Sequence, residues 1–186
     1  MKFLRNIYSW TLQKAQHKNA KWYLSVISFA ESSVFPIPPD IILIPMALAS
    51  KVNALFYAFL CTLFSVLGGV LGYTIGYFFF NSIGLYIVEF YHLENSFSVF
   101  EDYYKEFGIL IVLGAGITPF PYKFITIASG VFGLNIFLFI VISIIGRGLR
   151  FYLIAILLYF FGEKIKLIID KYFNILTIVF FILLVG

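Results

Sequence analysis

Charge is scarce in this sequence and unevenly placed: 12% of its 186 residues are Asp, Glu, Lys or Arg, against 62% hydrophobic. A soluble domain runs nearer to roughly 45–50% apolar and about 25% charged, so the composition excludes an ordinary water-facing surface. No charge occurs between Lys51 and Glu89, and none between Lys123 and Arg147. Each gap is long enough for a helix to cross a hydrocarbon core of about 30 Å, which takes roughly 20 residues. Cys61 is the single cysteine, which excludes an intramolecular disulfide. The two histidines, His17 and His92, lie outside the apolar segments, and no metal-ligand spacing accompanies them. Cys61 has no histidine beside it, and Ser32 and Ser33 have no visible base. No enzymatic chemistry, cofactor, metal or nucleic-acid partner is therefore expected. The length suits one domain, residues 1–186.

What is present reads as an all-α integral membrane protein. Residues 1–21 set Phe3, Leu4, Ile7, Tyr8 and Trp10 to Leu12 among five basic residues, the pattern of an amphipathic helix on an anionic membrane surface. A solvated basic arm is the alternative. Some twenty residues precede the apolar run Trp22 to Ala30 and a second run follows it, so a cleaved signal peptide is not expected. The first repeat, 22–80, opens with two apolar halves of nine or ten residues separated by ESSVFPIPPD. Each half is about 15 Å of helix, and Pro36, Pro38 and Pro39 forbid a continuous helix between them. The economical reading is a re-entrant hairpin with Lys21 and Lys51 on the cytoplasmic side; one kinked spanning helix is the alternative. An uninterrupted span follows, with Gly68, Gly72 and Gly76 forming a small-residue face suited to close helix approach, including in a homodimer.

Residues 82–107 hold five acids against one base, together with eight aromatics, as expected of short interfacial helices on the far side. The second repeat, 108–161, has its own interruption, TPFPYK, followed by a span. Residues 163–186 form a C-terminal apolar segment whose last run, 172–186, is short for a span; it gives a tilted third span or lies partly in the interface, for two to three transmembrane helices in all. The two interruptions match: Pro36 to Asp40 corresponds to Pro119, Phe120, Pro121, Tyr122 and Lys123. An Asn opens each following span, Asn53 seventeen residues after Pro36 and Asn135 sixteen after Pro119. Interrupted segments in equivalent places of two halves point to an inverted-repeat transporter whose site lies where they meet, unless so short a match is coincidence.

Six ionisable residues fall in or beside the apolar segments: Glu31, Asp40, Lys123, Arg147, Arg150 and Glu163. A charge at the centre of a membrane helix costs about 2.5–3.5 kcal/mol on insertion scales, and such residues are usually functional. Arg147 and Arg150 share a helix face and suit bidentate binding of a phosphate or carboxylate. With Lys123 they form the expected phosphate-binding group. Burial disfavours an ionised carboxyl and a nearby arginine favours it, so a carboxyl that alternates between the two can load and release a proton. Glu31 and Asp40 are the candidates for that coupling. Ser32, Ser33, Pro36, Pro38, Pro39, Pro119 and Pro121 mark the hairpin tips. A static salt-bridge cluster that fixes the fold is the alternative use of the same charges.

The runs FAESSVFPIPPDIILIPMALA, TPFPYKFITIASG and GRGLRFYLIA together resemble the DedA superfamily (SNARE-associated or VTT-domain proteins), closest to its YqaA-like branch. The resemblance covers about residues 5 to 170, with three motifs in order. It implies two re-entrant hairpins facing each other across an inverted repeat. It also implies an activity as a lipid translocase or scramblase, with proton coupling and dependence on membrane acids and arginines. Glu31 and Asp40 match the acidic motif, and Arg147 and Arg150 stand in the GRxxR segment. The main branch carries arginines flanking the second hairpin proline, where this sequence has Gly116 and Tyr122, with Lys123 next door. The expectation is a multi-pass protein of the bacterial inner membrane, N-terminus cytoplasmic, that moves a phosphate-bearing lipid. Carriage of a small soluble solute or a scaffold role are the alternatives.

Overall fold

The computed structural model describes residues 19–34, 38–90, 92, 94–118 and 120–185. The expected amphipathic helix falls almost wholly outside them, as do Pro36, Pro119 and the side chain of Glu163. Every regular element among the described residues is helical. In chain order these are α1 (Ala20–Ser33), α2 (Asp40–Ala49), a 3-10 turn, α3 (Ala54–Phe79), a π turn, α4 (Leu85–Phe90), α5 (Glu94–Ile117), α6 (Tyr122–Val131) and α7 (Ile136–Val185).

Two stretches, Lys51–Phe79 and Ile136–Gly162, are long and apolar enough to cross a membrane. Both keep large apolar side chains outward: Phe59, Leu63, Leu67 and Leu71 on α3, and Leu149, Leu153, Ile156 and Phe160 on α7 are exposed. A continuous apolar exterior on this scale marks association with a membrane. In α1 the usual polarity is reversed. Ser25, Ser28, Glu31, Ser32 and Ser33 are buried, whereas Trp22, Tyr23 and Val26 face outward. Those inward hydroxyls are satisfied without water: Ser28 donates to the Cys61 carbonyl (2.7 Å), and Ser25 donates to the carbonyl of Lys21 (2.9 Å).

The chain breaks beside Pro38, Pro39 and Pro121, whereas Pro45 lies inside α2. α1 ends at Ser33, and Pro38 and Pro39 lead into α2, whose first turn carries Asp40 at the favourable end of the helix dipole. Pro121 likewise precedes α6. Elsewhere helices run on. The expected boundary between the interfacial stretch 82–107 and the second repeat falls inside α5. The boundary between 108–161 and the C-terminal segment falls inside α7, a single helix of 50 residues. Gly108 and Gly162 stand near those boundaries, but a lone glycine weakens a helix by about 1 kcal/mol without ending it. On the exposed side of α5, Glu101 and Lys105 pair at 2.7 Å, and that hydrogen bond holds the Lys105 amine above its ordinary pKa.

The packing has a crossed pattern. α1 lies along α3 and α5 along α7, whereas α2 reaches across to α7 and α6 to α3; α3 and α7 also pack on each other. Two apolar clusters result. One gathers Ala20 and Leu24 of α1, Leu43, Met46 and Ala47 of α2, Cys61 of α3 and Phe151 of α7. The start of α1 and the second half of α2 thus contribute to the same cluster. The other cluster joins Tyr73, Val112, Ala115, Tyr122 and Phe139. Close approach depends on glycine: a Cβ at Gly68 would strike the Phe29 carbonyl of α1, and one at Gly76 the Ile127 carbonyl of α6. The glycine face of α3, read from sequence as open to a second copy, is filled by α1 and α6 of the same chain.

Candidate functional site

Between the two clusters lies a polar layer, built where α3 and the spanning part of α7 are near their midpoints. Its centre is Arg147, 1% exposed. Its Nη2 donates to Glu31 Oε2 at 2.5 Å and its Nε to Ser65 Oγ at 2.6 Å. Ser65 Oγ lies 2.6 Å from Ser32 Oγ, and Ser32 Oγ donates to Glu31 Oε2 at 3.1 Å. The guanidinium carbon is 4.9 Å from the centroid of the Tyr122 ring and 4.7 Å from that of Phe151, within cation–π range. Tyr122 is fully buried, and its hydroxyl shares a hydrogen bond of 2.6 Å with Ser143.

One helical turn further along α7, Arg150 pairs with Asp40 at the start of α2, Nη2 to Oδ2. Its Nη1 donates to the Thr118 carbonyl at 2.6 Å, so one side chain ties α2 to the end of α5. This pair is more open than the first: the Arg150 and Asp40 side chains are 14% and 17% exposed. Asp40 Oδ1 is buried and has no hydrogen-bond partner among the described residues.

Lys123 enters from the second connection. Its Nζ donates to the Val34 carbonyl at 3.3 Å and lies 5.3 Å from the Phe124 ring centroid. Thr126, one turn on, is within hydrogen-bond reach of the Ser32 carbonyl at 3.0 Å. The flanks of the two proline-rich connections are therefore tied to each other as well as to α7.

Of the residues singled out from sequence, Glu31, Asp40, Arg147 and Arg150 come together as two ion pairs on one face of α7. Ser32 joins the first pair. Ser33 turns back on its own helix, donating toward the carbonyls of Phe29 and Ala30. Pro38, Pro39 and Pro121 flank the helix starts. Beside Arg147, Gly146 packs against the backbone of α5 at Leu113 and Gly116. Sequence reasoning missed Ser65, Tyr122, Ser143 and Phe151 as parts of the arginine's cage. The available signal was a polar residue, Ser65, within the charge-free run of α3. Ser143, four residues before Arg147 on the same helix, was a second such signal.

Two relatives align over most of this chain. An uncharacterized protein of Haemophilus influenzae is 35% identical over 164 residues, which is 88% of this chain and 85% of the relative. An uncharacterized protein of Histophilus somni is 38% identical over 167 residues, again 88% and 85%. No family model and no solved structure matches the chain.

Proposed function

This chain belongs to the same family as the Haemophilus influenzae and Histophilus somni proteins, and from that premise we propose that it is a multi-pass membrane translocase for an anionic, phosphate-bearing lipid, coupled to protons. The observation that carries the reading is the pair of arginine–carboxylate bridges that the membrane-length stretch Ile136–Gly162 of α7 makes, near its middle, with α1 and α2. Charges at that depth are costly and serve ion or substrate paths in most membrane proteins. They lie where two broken segments meet, the position of the site in inverted-repeat transporters. The crossed packing of α2 on α7 and α6 on α3 suits two re-entrant hairpins in an inverted repeat. The basic residues supply the field that attracts the phosphate. Glu31 and Asp40 exchange protons as the bridges open. Lysines flanking the first hairpin favour a cytoplasmic N-terminus in a bacterial inner membrane. The likeness to the DedA superfamily supports the same activity.

The test is head-group translocation in proteoliposomes. Purified protein is reconstituted with a fluorescent phospholipid or a polyprenyl phosphate, with and without a pH gradient, beside Asp40→Asn and Arg150→Gln. Movement by the wild type, lost in both variants at equal folded protein, is the expected result, and acceleration by the gradient establishes coupling. Wild-type vesicles that move neither lipid would overturn the reading and favour a soluble solute or a structural role.

A further inference from the structure

The two ion pairs differ in a way that divides their labour. Around Arg147 the direction of each hydrogen bond is fixed. Nε can only donate, so Ser65 Oγ accepts from it at 2.6 Å and uses its own hydrogen on Ser32 Oγ at 2.6 Å. Ser32 then donates to Glu31 Oε2, which also receives Arg147 Nη2. The four side chains close a ring in which both hydroxyl hydrogens are used, and the aromatic rings of Tyr122 and Phe151 adjoin the guanidinium. An incoming anion could take the Nε and Nη2 donors of Arg147 only by dismantling this ring. Arg150 is held differently: no hydroxyl ring encloses it, and the Thr118 carbonyl accepts from its Nη1 at 2.6 Å while Asp40 takes Nη2. Its partner Asp40 holds it through one oxygen while the other oxygen is buried without a hydrogen bond. A carboxylate that engages the guanidinium fork through a single oxygen is half of what a phosphate or carboxylate ligand supplies in the bidentate arrangement.

We propose that Arg150 is the seat for the ligand's phosphate, that Asp40 is an internal anion occupying that seat in this conformation, and that the Arg147–Glu31 ring is a lock holding α1, α3 and α7 together. The phosphate class rests on the translocase reading above; the self-occupied seat and the lock rest on the geometry alone. Asp40 and the ligand compete for one guanidinium, so neutralising Asp40 removes the competing charge at Nη2 while the Thr118 carbonyl still accepts from Nη1. The Lys123 amine, held by the Val34 carbonyl at the flank of the same pair of connections, adds a point charge for the arriving anion.

Binding to the full chain in detergent tests this, read by calorimetry with inorganic phosphate and, separately, with dihexanoyl phosphatidate. Where a site is free in about a tenth of molecules, removing its internal occupant tightens the apparent Kd about tenfold. Asp40→Asn is expected to bind with about that gain. Arg150→Gln is expected to lose binding, and Arg150→Lys, which keeps the charge without the fork, to weaken it. Ser65→Ala opens the lock: its Tm falls while its affinity stays within about twofold of the wild type. Binding of both probes assigns recognition to the phosphate alone, and binding of the phosphatidate alone adds the acyl chains. An affinity that responds to Ser65→Ala and not to Asp40→Asn places the seat on Arg147 and overturns the assignment. So does failure of both probes to bind wild type and Asp40→Asn protein that unfolds cooperatively. A gain in Asp40→Asn affinity alongside vesicles that move no lipid leaves the seat standing and removes the translocase reading. Lipid movement without that gain does the reverse.

Discussion

The Tyr122 ring centroid lies 4.9 Å from the guanidinium carbon of Arg147, while the Tyr122 hydroxyl is hydrogen-bonded to Ser143 four residues earlier on the same helix as the arginine. One side chain from the second proline-rich connection therefore both adjoins the buried cation and anchors itself beside it. Tyr122→Phe should remove only the hydrogen bond and cost about 1 kcal/mol. Tyr122→Leu should lose the ring's attraction for the cation as well, at least about 2 kcal/mol in total. Thermal unfolding in detergent reads both, and equal Tm values for the two variants would falsify the cation–π role.

Glu31→Gln leaves Arg147 charged in a place where it is 1% exposed. Breaking one side of a buried pair costs about 3–5 kcal/mol, so the variant should unfold far earlier than the wild type. Joint replacement, Glu31→Gln with Arg147→Met, should recover a large part of that loss. The coupling is read from a double-mutant cycle in chemical denaturation. Additive losses would mean that the two residues do not depend on each other.

Gly76→Val should be severe, because even a Cβ there overlaps the Ile127 carbonyl of α6. Backbone cannot yield as a flexible side chain does, and overpacking costs about 1–3 kcal/mol or more. Gly114→Ala is the control: a Cβ at Gly114 meets nothing within 4 Å, and alanine favours helix over glycine by about 1 kcal/mol. Opposite signs in the Tm of the two variants are expected. A tolerated Gly76→Val would mean that α3 and α6 do not touch backbone to backbone at this position.

Asn135→Ala should cost about 1 kcal/mol. The Asn135 Oδ1 accepts from the backbone N–H groups of Phe137 (3.0 Å) and Leu138 (3.2 Å), capping α7. Asn53, its counterpart in the first repeat, instead donates from Nδ2 to Ser50 Oγ at 2.9 Å and caps nothing, so Asn53→Ala should cost less. Hydrogen exchange at the first turns of α3 and α7 separates the two cases.

Much of this protein was written locally. The absence of charge over 52–88 marks the long apolar helix α3, whereas the second charge-free run, 124–146, is divided between α6 and α7, and the second membrane-length stretch, Ile136–Gly162, carries Arg147 and Arg150. Pro38, Pro39 and Pro121 decide where the short helices start, since a proline has no N–H to continue the ladder. The segment boundaries read at 107/108 and 161/163 fall within α5 and α7, because helix propensity runs through Gly108 and Gly162. That Glu31, Asp40, Arg147 and Arg150 would find partners also followed from sequence, through the cost of leaving any of them alone in an apolar setting.

Which carboxylate takes which arginine was settled only by tertiary structure, because the pairing spans 116 residues in one case and 110 in the other. No period or spacing encodes contacts at that separation; they depend on α2 crossing to α7 while α1 stays with α3. The cage of Ser65, Tyr122 and Phe151 around Arg147 was hidden for the same reason, each residue being unremarkable on its own helix. So was the asymmetry of the two bridges, one closed by hydroxyls and rings and the other left with an unbonded carboxylate oxygen. Sequence determined that charge would be buried and paired within a membrane-associated helical protein. The crossing of its helices determined which of those pairs is enclosed and which stands open.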